Sequence, residues 1–263
     1  MKPPARWEAH DYYLRASATY LSFLSTYAVA EPYETRRLLE KSLSVDQGYA
    51  RPYGLLSNSY AIAYLQPVDG DHAQESICQR AYELALKGVQ LDPTLPFAHA
   101  KLGVALAHAG RLDESISVFE RAGTLNPNFT DWRSTFPLLH AGQFARAIEV
   151  AEKCMRLDPF CTPGLANLCA HAHYMLEDYS TAQPLLRDSA SRLPNSLLGR
   201  CLLAATCAQA GRKQDATAQA TEVTRILPNY SINGTQRRLS PFKYPEHAKH
   251  LFDGLSKSGL PEA

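Results

Sequence analysis

Imidazole and thiolate gather at His171-Ala172-His173, with Cys161 and Cys169 shortly before them, and both groups are zinc ligands. Two residues apart on a helix, however, the histidines point about 200° from one another. Cys169 and His173, four apart, do share a face, but two ligands do not make a metal site. The six cysteines form no CxxC pair, and most fall inside apolar helical stretches, where a reduced thiol packs as a small hydrophobe. No Gly-rich phosphate loop, G-x-S-x-G elbow or H-E-x-x-H pair occurs. Acidic pairs such as Asp113-Glu114 and Glu177-Asp178 read as helix starts or solvated faces, where a carboxylate complements the helix dipole. The expectation is a protein with no catalytic constellation, no metal and no cofactor.

Bulk properties exclude other classes. The chain has 263 residues with 27 Lys+Arg against 26 Asp+Glu, a net charge near +1, and so lacks the basic field that nucleic acid or an anionic membrane would call for. No apolar run approaches the roughly 20 residues of a membrane-spanning helix. Met1 to Ala9 shows none of the apolar core of a secretory signal. These features predict a cytoplasmic protein with neither nucleic-acid nor membrane partners.

The elements that must position any site come from a repeat. Leu91-Asp92-Pro93, Leu125-Asn126-Pro127, Leu157-Asp158-Pro159, Arg192-Leu193-Pro194 and Ile226-Leu227-Pro228 place prolines 34, 32, 35 and 34 residues apart. Proline fixes φ and lacks a donor, so it suits the turn between one helix pair and the next. Small residues recur between them: Ala81 and Gly88, Gly103, Gly110, Ser115 and Ala122, Gly142 and Ala147, Ala182, then Gly211 and Ala216. Such positions are where two helices approach closely. The period predicts an all-α superhelix of about six helix-turn-helix repeats over 1–229, at about 10–49, 50–95, 96–129, 130–161, 162–196 and 197–229. The first repeat diverges, with Gln47 where proline would fall. The second carries an insertion absorbed by Gln66 to Gly70, which places its second helix at Ala73 to Gln90. The fourth is short, and Pro137 should bend or truncate its first helix. Residues 230–263, with Leu251, Phe252 and Leu255 on one side of a stretch from Glu246 to Ser256, read as a closing helix that covers the last repeat.

The Leu-Gly, Gly, Ala, Phe, Ala, Pro pattern, clearest in Leu102-Gly103, Gly110, Ser115, Phe119, Ala122 and Pro127, resembles the tetratricopeptide repeat over nearly the whole chain. A narrower resemblance lies at the ends. Tyr12-Tyr13-Leu14-Arg15-Ala16, Leu239-Ser240-Pro241-Phe242-Lys243-Tyr244-Pro245, Leu255 and Gly259-Leu260-Pro261-Glu262 look like the repeat region that follows the catalytic domain of bacterial class III adenylate/guanylate cyclases. That resemblance implies a stand-alone relative or a detached regulatory part. Cyclase activity does not carry over, because the repeats already use this chain's residues.

In a stack of helix pairs the first helices line a concave face. Counting from the Leu-Gly pair puts Asn58, Ile62, Phe97, Val104, His108, Trp132, Phe136, His140, Asn167, His171, Tyr174 and Gln209 on it. This aromatic, amide and imidazole lining suits an apolar or helical segment of a partner protein or peptide. Two other readings stay open: Trp132 and Phe136 as core residues of a distorted repeat, and His108 and His140 as solvated or turn-capping histidines. A groove that binds a small ligand is a weaker alternative. If the groove reading holds, Trp132→Ala and Tyr174→Ala weaken partner capture without unfolding the chain.

Overall fold

In the computed structural model, the described residues are 4–26, 28, 30–65, 76–158, 163–234 and 242–262. The expected linker at Gln66 to Gly70, the start of the helix proposed from Ala73, Cys161, and Leu239 to Pro241 lie outside them. Within them every regular element is helical: α1 (Pro4–Thr26), α2 (Ala30–Val45), α3 (Ala50–Leu65), α4 (Ser76–Leu91), α5 (Pro96–His108), α6 (Leu112–Leu125), α7 (Thr135–His140), α8 (Phe144–Leu157), α9 (Pro163–Met175), α10 (Tyr179–Arg192), α11 (Leu197–Gln209), α12 (Lys213–Ile226) and α13 (Pro245–Lys257). The chain divides into two compact units, Met1–Asp131 and Trp132–Ala263.

Each unit is a stack of helix pairs. In the first, α1 packs on α2, α3 on α4 and α5 on α6, and α5 also packs on both members of the preceding pair. In the second, α7 packs on α8, α9 on α10 and α11 on α12, with α9 and α11 each seated on the pair before. The close approach inside a pair rests on small residues. Ala81, Ser115, Ala147, Ala182 and Ala216 are at most 1% exposed and recur at the same intervals as the prolines. Where serine replaces alanine, Ser115 Oγ donates to the Gly103 carbonyl at 2.7 Å, so the hydroxyl is buried without losing a partner.

The turns have equally local causes. Between pairs, Asp46, Asp92 and Asn126 accept through Oδ1 from the backbone N–H two residues on, at 3.0, 3.1 and 3.0 Å. These Asx turns reverse the chain. Inside pairs, Gly110, Gly142 and Gly211 adopt φ of +75°, +76° and +75°. The N–H of the next residue then reaches back five positions, as from Arg111 to the Leu106 carbonyl at 3.0 Å, closing the helix in a Schellman motif. The equivalent residue of the fifth repeat is Glu177, with φ of 59°. A side chain in this left-handed region costs about 1 kcal/mol or more. Glu177→Gly is therefore expected to raise the midpoint of thermal unfolding by about 3 °C. A lower midpoint in a circular-dichroism melt would mean that the Glu177 side chain contributes more than its backbone costs.

Pro137 truncates the first helix of the fourth repeat, as its chemistry requires. A single 3-10 turn, Trp132–Ser134, precedes the six-residue α7. The helix starts two residues before the proline, where the first-turn N–H groups have no intrahelical acceptor and the missing donor is not needed.

Candidate functional site

The expected site residues are best followed within each unit. In the first, Asn58 is buried and donates from Nδ2 to the Tyr20 hydroxyl at 2.7 Å. Val104 is buried beside Ala61 and Ala81, and Ile62 lies at the edge of the core cluster built around Tyr20, Phe23 and Leu39. His108 is half-buried at the end of α5. Phe97 stays half-buried and covers something that the sequence reading missed. One turn on, Lys101 is 5% exposed and its ammonium meets the 6% exposed carboxylate of Asp131 at 2.7 Å. The Phe97 ring centroid stands 4.7 Å from that ammonium. The face expected to be amide and aromatic therefore contains a buried ion pair.

In the second unit the expected residues come together, but they are covered. Phe136, His140, Asn167, His171 and Tyr174 are all buried, and Tyr174 has no exposed surface. What covers the histidines and Tyr174 is the end of the chain. Phe242 lies with its ring 4.6 Å from that of His140 and 5.9 Å from that of His171. The Lys243 N–H donates to the His140 carbonyl at 2.9 Å. Beyond it α13 runs across α11 and touches α9. Tyr174 donates its hydroxyl to the His250 carbonyl at 2.9 Å, and Lys257 Nζ donates to Gln209 at 2.9 Å. Leu251 and Leu255 are buried beneath the helix. A Cβ on Gly254 would stand 2.3 Å from the Tyr174 hydroxyl and 3.1 Å from the Ala205 methyl, so only glycine permits this approach.

The closing helix expected from the sequence is thus present, seated on the first-helix side of its unit. The tail returns as well: Ile232 and Asn233 donate their N–H groups to the carbonyls of Pro261 and Glu262 at 2.9 and 3.1 Å. Sequence reasoning missed Ala205, Phe242 and Gly254 as parts of this face. One signal was available, since a glycine in the middle of an amphipathic helix weakens it and calls for a packing reason.

Trp132 lies elsewhere. It packs against Ala151, Leu165 and Cys169, with the Arg133 guanidinium 4.7 Å from its ring, which puts it on the core side of its repeat. Alanine at Trp132 or at the fully buried Tyr174 would therefore remove packing, and the expectation that both substitutions leave folding intact is corrected on that ground. The metal candidates also separate. His173 Nδ1 donates to Asp178 at 3.1 Å, whereas His171 faces His140 and Phe242. Among the described residues no three His, Cys, Asp or Glu side chains converge as a metal would need. Burial pushes the Cys201 thiol up to about 12 and that of Cys169 to about 11, which keeps both as packed, unreactive thiols. No helix among the described residues is long and apolar enough to cross a membrane.

Burial also fixes the charge of the site. Desolvation brings His140 down to about 4, against the hydrogen bond that its Nδ1 donates to the Phe136 carbonyl at 2.9 Å. His171 is held well below its ordinary 6.5, first by desolvation and then by His140 and His250. Its Nε2 is buried without a hydrogen-bond partner. Both rings titrate near 6.5 in an unfolded chain. Above that pH neither state binds a proton, and the stability tied to the neutral rings is fully present. As pH falls below 6.5 the unfolded chain takes up protons that the folded chain refuses, so stability is lost towards about pH 4. Urea midpoints are expected to be flat above about pH 7. The unfolding free energy that they report should then fall by up to about 1.4 kcal/mol per pH unit for each histidine. A midpoint unchanged between about pH 7 and 5 would show that these rings are hydrated in the folded protein.

No protein-family model matches the sequence, and no curated protein matches it. Solved structures do. The chain is 20% identical to Pseudomonas aeruginosa PilF, with a TM-score of 0.55, over 88% of this chain and 97% of PilF. PilW, a widely conserved type IV pilus biogenesis factor, gives 15% identity and a TM-score of 0.58 over 87% of this chain and 97% of PilW. A tetratricopeptide repeat protein from Parabacteroides merdae gives 12% and 0.51 over 94% and 99% of the two chains. At these identities the likeness is one of fold, and that fold is the tetratricopeptide-repeat stack of helix pairs.

Proposed function

We propose that this chain is an interaction scaffold with a regulatory role, holding a peptide or protein partner on the first-helix faces of its repeats. The observation that carries the reading is the seating of residues 242–257 in the second unit. An aromatic side chain, a main-chain hydrogen bond and an amphipathic helix are all accommodated on one continuous face. Those are the contacts with which a groove takes a helical peptide. The test is capture from an extract of the source cell, with mass spectrometry of what is retained. A partner kept by the native chain should be lost at least tenfold from Gln209→Ala, at the end of the first helix α11. It should be kept by Leu157→Ala, whose side chain is exposed at the end of a second helix. Equal retention by both variants would remove the inner face from partner binding.

A second reading is the detached regulatory part of a cyclase-like protein. It is favoured by where the terminal resemblance falls, since Phe242 to Pro245 and Gly259 to Glu262 belong to the seated segment and the tail rather than to the generic repeat. A cyclase domain encoded upstream in the same reading frame would support it.

A further inference from the structure

The segment on the inner face of the second unit is more specific than a helix that merely covers an end. A further repeat would pack its first helix on both α11 and α12, as α11 does on α9 and α10. Instead α13 packs on α11 and α9, along the face where a ligand would lie. The contacts are also spaced like a recognition motif. Phe242 packs against two imidazoles that also touch each other; nine and thirteen residues on, Leu251 and Leu255 are buried. At twelve residues Gly254 slides under the Tyr174 hydroxyl, and at fifteen Lys257 meets Gln209. Yet the fit is incomplete, because the Nε2 of His171, whose ring touches Phe242, remains buried without a hydrogen-bond partner. A buried polar atom left unpaired weakens the closed form relative to one in which a different segment supplies the missing group.

We infer that residues 242–257 are an internal stand-in for the partner. That partner carries an amphipathic helix with an aromatic residue, then leucine-like residues nine and thirteen positions later, a glycine between them at the twelfth and a basic residue at the fifteenth. The inference rests on the scaffold reading above and narrows it to one face and one class of ligand. Partner and stand-in compete, so occupancy by the chain's own end lowers apparent affinity by the fraction of time the face is closed. The small residue at the twelfth position is the specificity element, since any side chain there collides with Tyr174 and Ala205.

The test uses the full chain and a fluorescein-labelled peptide with the sequence of residues 242–262. Gly254→Leu in the protein should evict α13, and the labelled peptide should then bind at least tenfold tighter than to the native chain by anisotropy. The same peptide carrying leucine at the position of Gly254 should bind neither protein. Equal binding of the native peptide to both proteins would overturn the inference. So would a concentration-dependent dimer of Gly254→Leu, which would assign the face to a second copy. Hydrogen exchange of the native chain guards against a variant that does not fold. Amides of α13 should exchange through an opening that leaves α9 and α11 protected, whereas protection of all three to the same global limit would make α13 a fixed part of the fold and end the proposal. Tighter peptide binding holds whether or not extract capture depends on the inner faces, so the two readings fail separately.

Discussion

Asp131→Ala is expected to lower the stability of the first unit by about 3–5 kcal/mol, the usual cost of removing one partner from a buried ion pair. The Lys101 and Asp131 side chains are 5% and 6% exposed and 2.7 Å apart. The lysine stem is boxed in: its Cγ would stand 3.1 Å from a Cβ on Gly54, and Phe97 lies over its ammonium. Without the carboxylate the ammonium must either stay desolvated or pull out of that packing, and both are unfavourable. Lys101→Met should cost a similar amount, because methionine keeps the aliphatic packing but leaves the 6% exposed Asp131 carboxylate as the uncompensated buried charge. The double variant Lys101→Met with Asp131→Leu should recover much of the loss, as apolar replacements of buried pairs commonly do. Urea unfolding of the native chain, Asp131→Leu, Lys101→Met and their double variant closes the cycle, with Asp131→Ala measured beside it. A loss below about 1 kcal/mol in Asp131→Ala would show that the ammonium reaches water, and that the pair is a surface contact of little weight.

The same pair shows where the sequence stops being legible. Prolines and small residues at near-constant intervals betray the stack because each obeys a demand local to one turn or one helix crossing. Ala81, Ser115, Ala147, Ala182 and Ala216 could be found by counting, and all are buried as counting implied. Even the divergent first repeat keeps the local rule. Gln47 stands where proline would, but Asp46 makes the Asx turn through its side chain, so the reversal survives the loss of proline. Lys101 and Asp131 are 30 residues apart, and nothing in either neighbourhood announces that the chain after α6 returns to α5.

The inner face of the second unit was half legible for a related reason. Offset from the Leu-Gly pair placed His140, His171, Tyr174 and Gln209 on one face, because that geometry belongs to the helix itself. What lies on top of them is a long-range choice. The amphipathic stretch from Glu246 to Ser256 had to bury its apolar side somewhere, but the pattern of one helix cannot name its partner. Tyr174 and the carbonyl it bonds on His250 are 76 residues apart. A face read as partner-binding is therefore covered by a segment whose own sequence says only that it must pack.

Gly103→Leu is the sharper test of the repeat register and is expected to destabilise the first unit by roughly 1–3 kcal/mol or more, the range for overpacking a filled contact. A Cβ at Gly103 would stand 2.7 Å from two ring carbons of Phe119 and 3.1 Å from a third. On the same residue the carbonyl holds the buried Ser115 hydroxyl, so α5 cannot back away from α6 without breaking that bond as well. The strain has one identifiable source, and Phe119→Ala in the Gly103→Leu background should relieve part of it. The two substitutions together should then cost less than the sum of each alone. Thermal and urea melts of the two single variants and the pair measure this coupling. If Gly103→Leu melts with the native chain, α5 and α6 do not meet at this glycine, and the small-residue register that defines each helix pair is misplaced by at least one position.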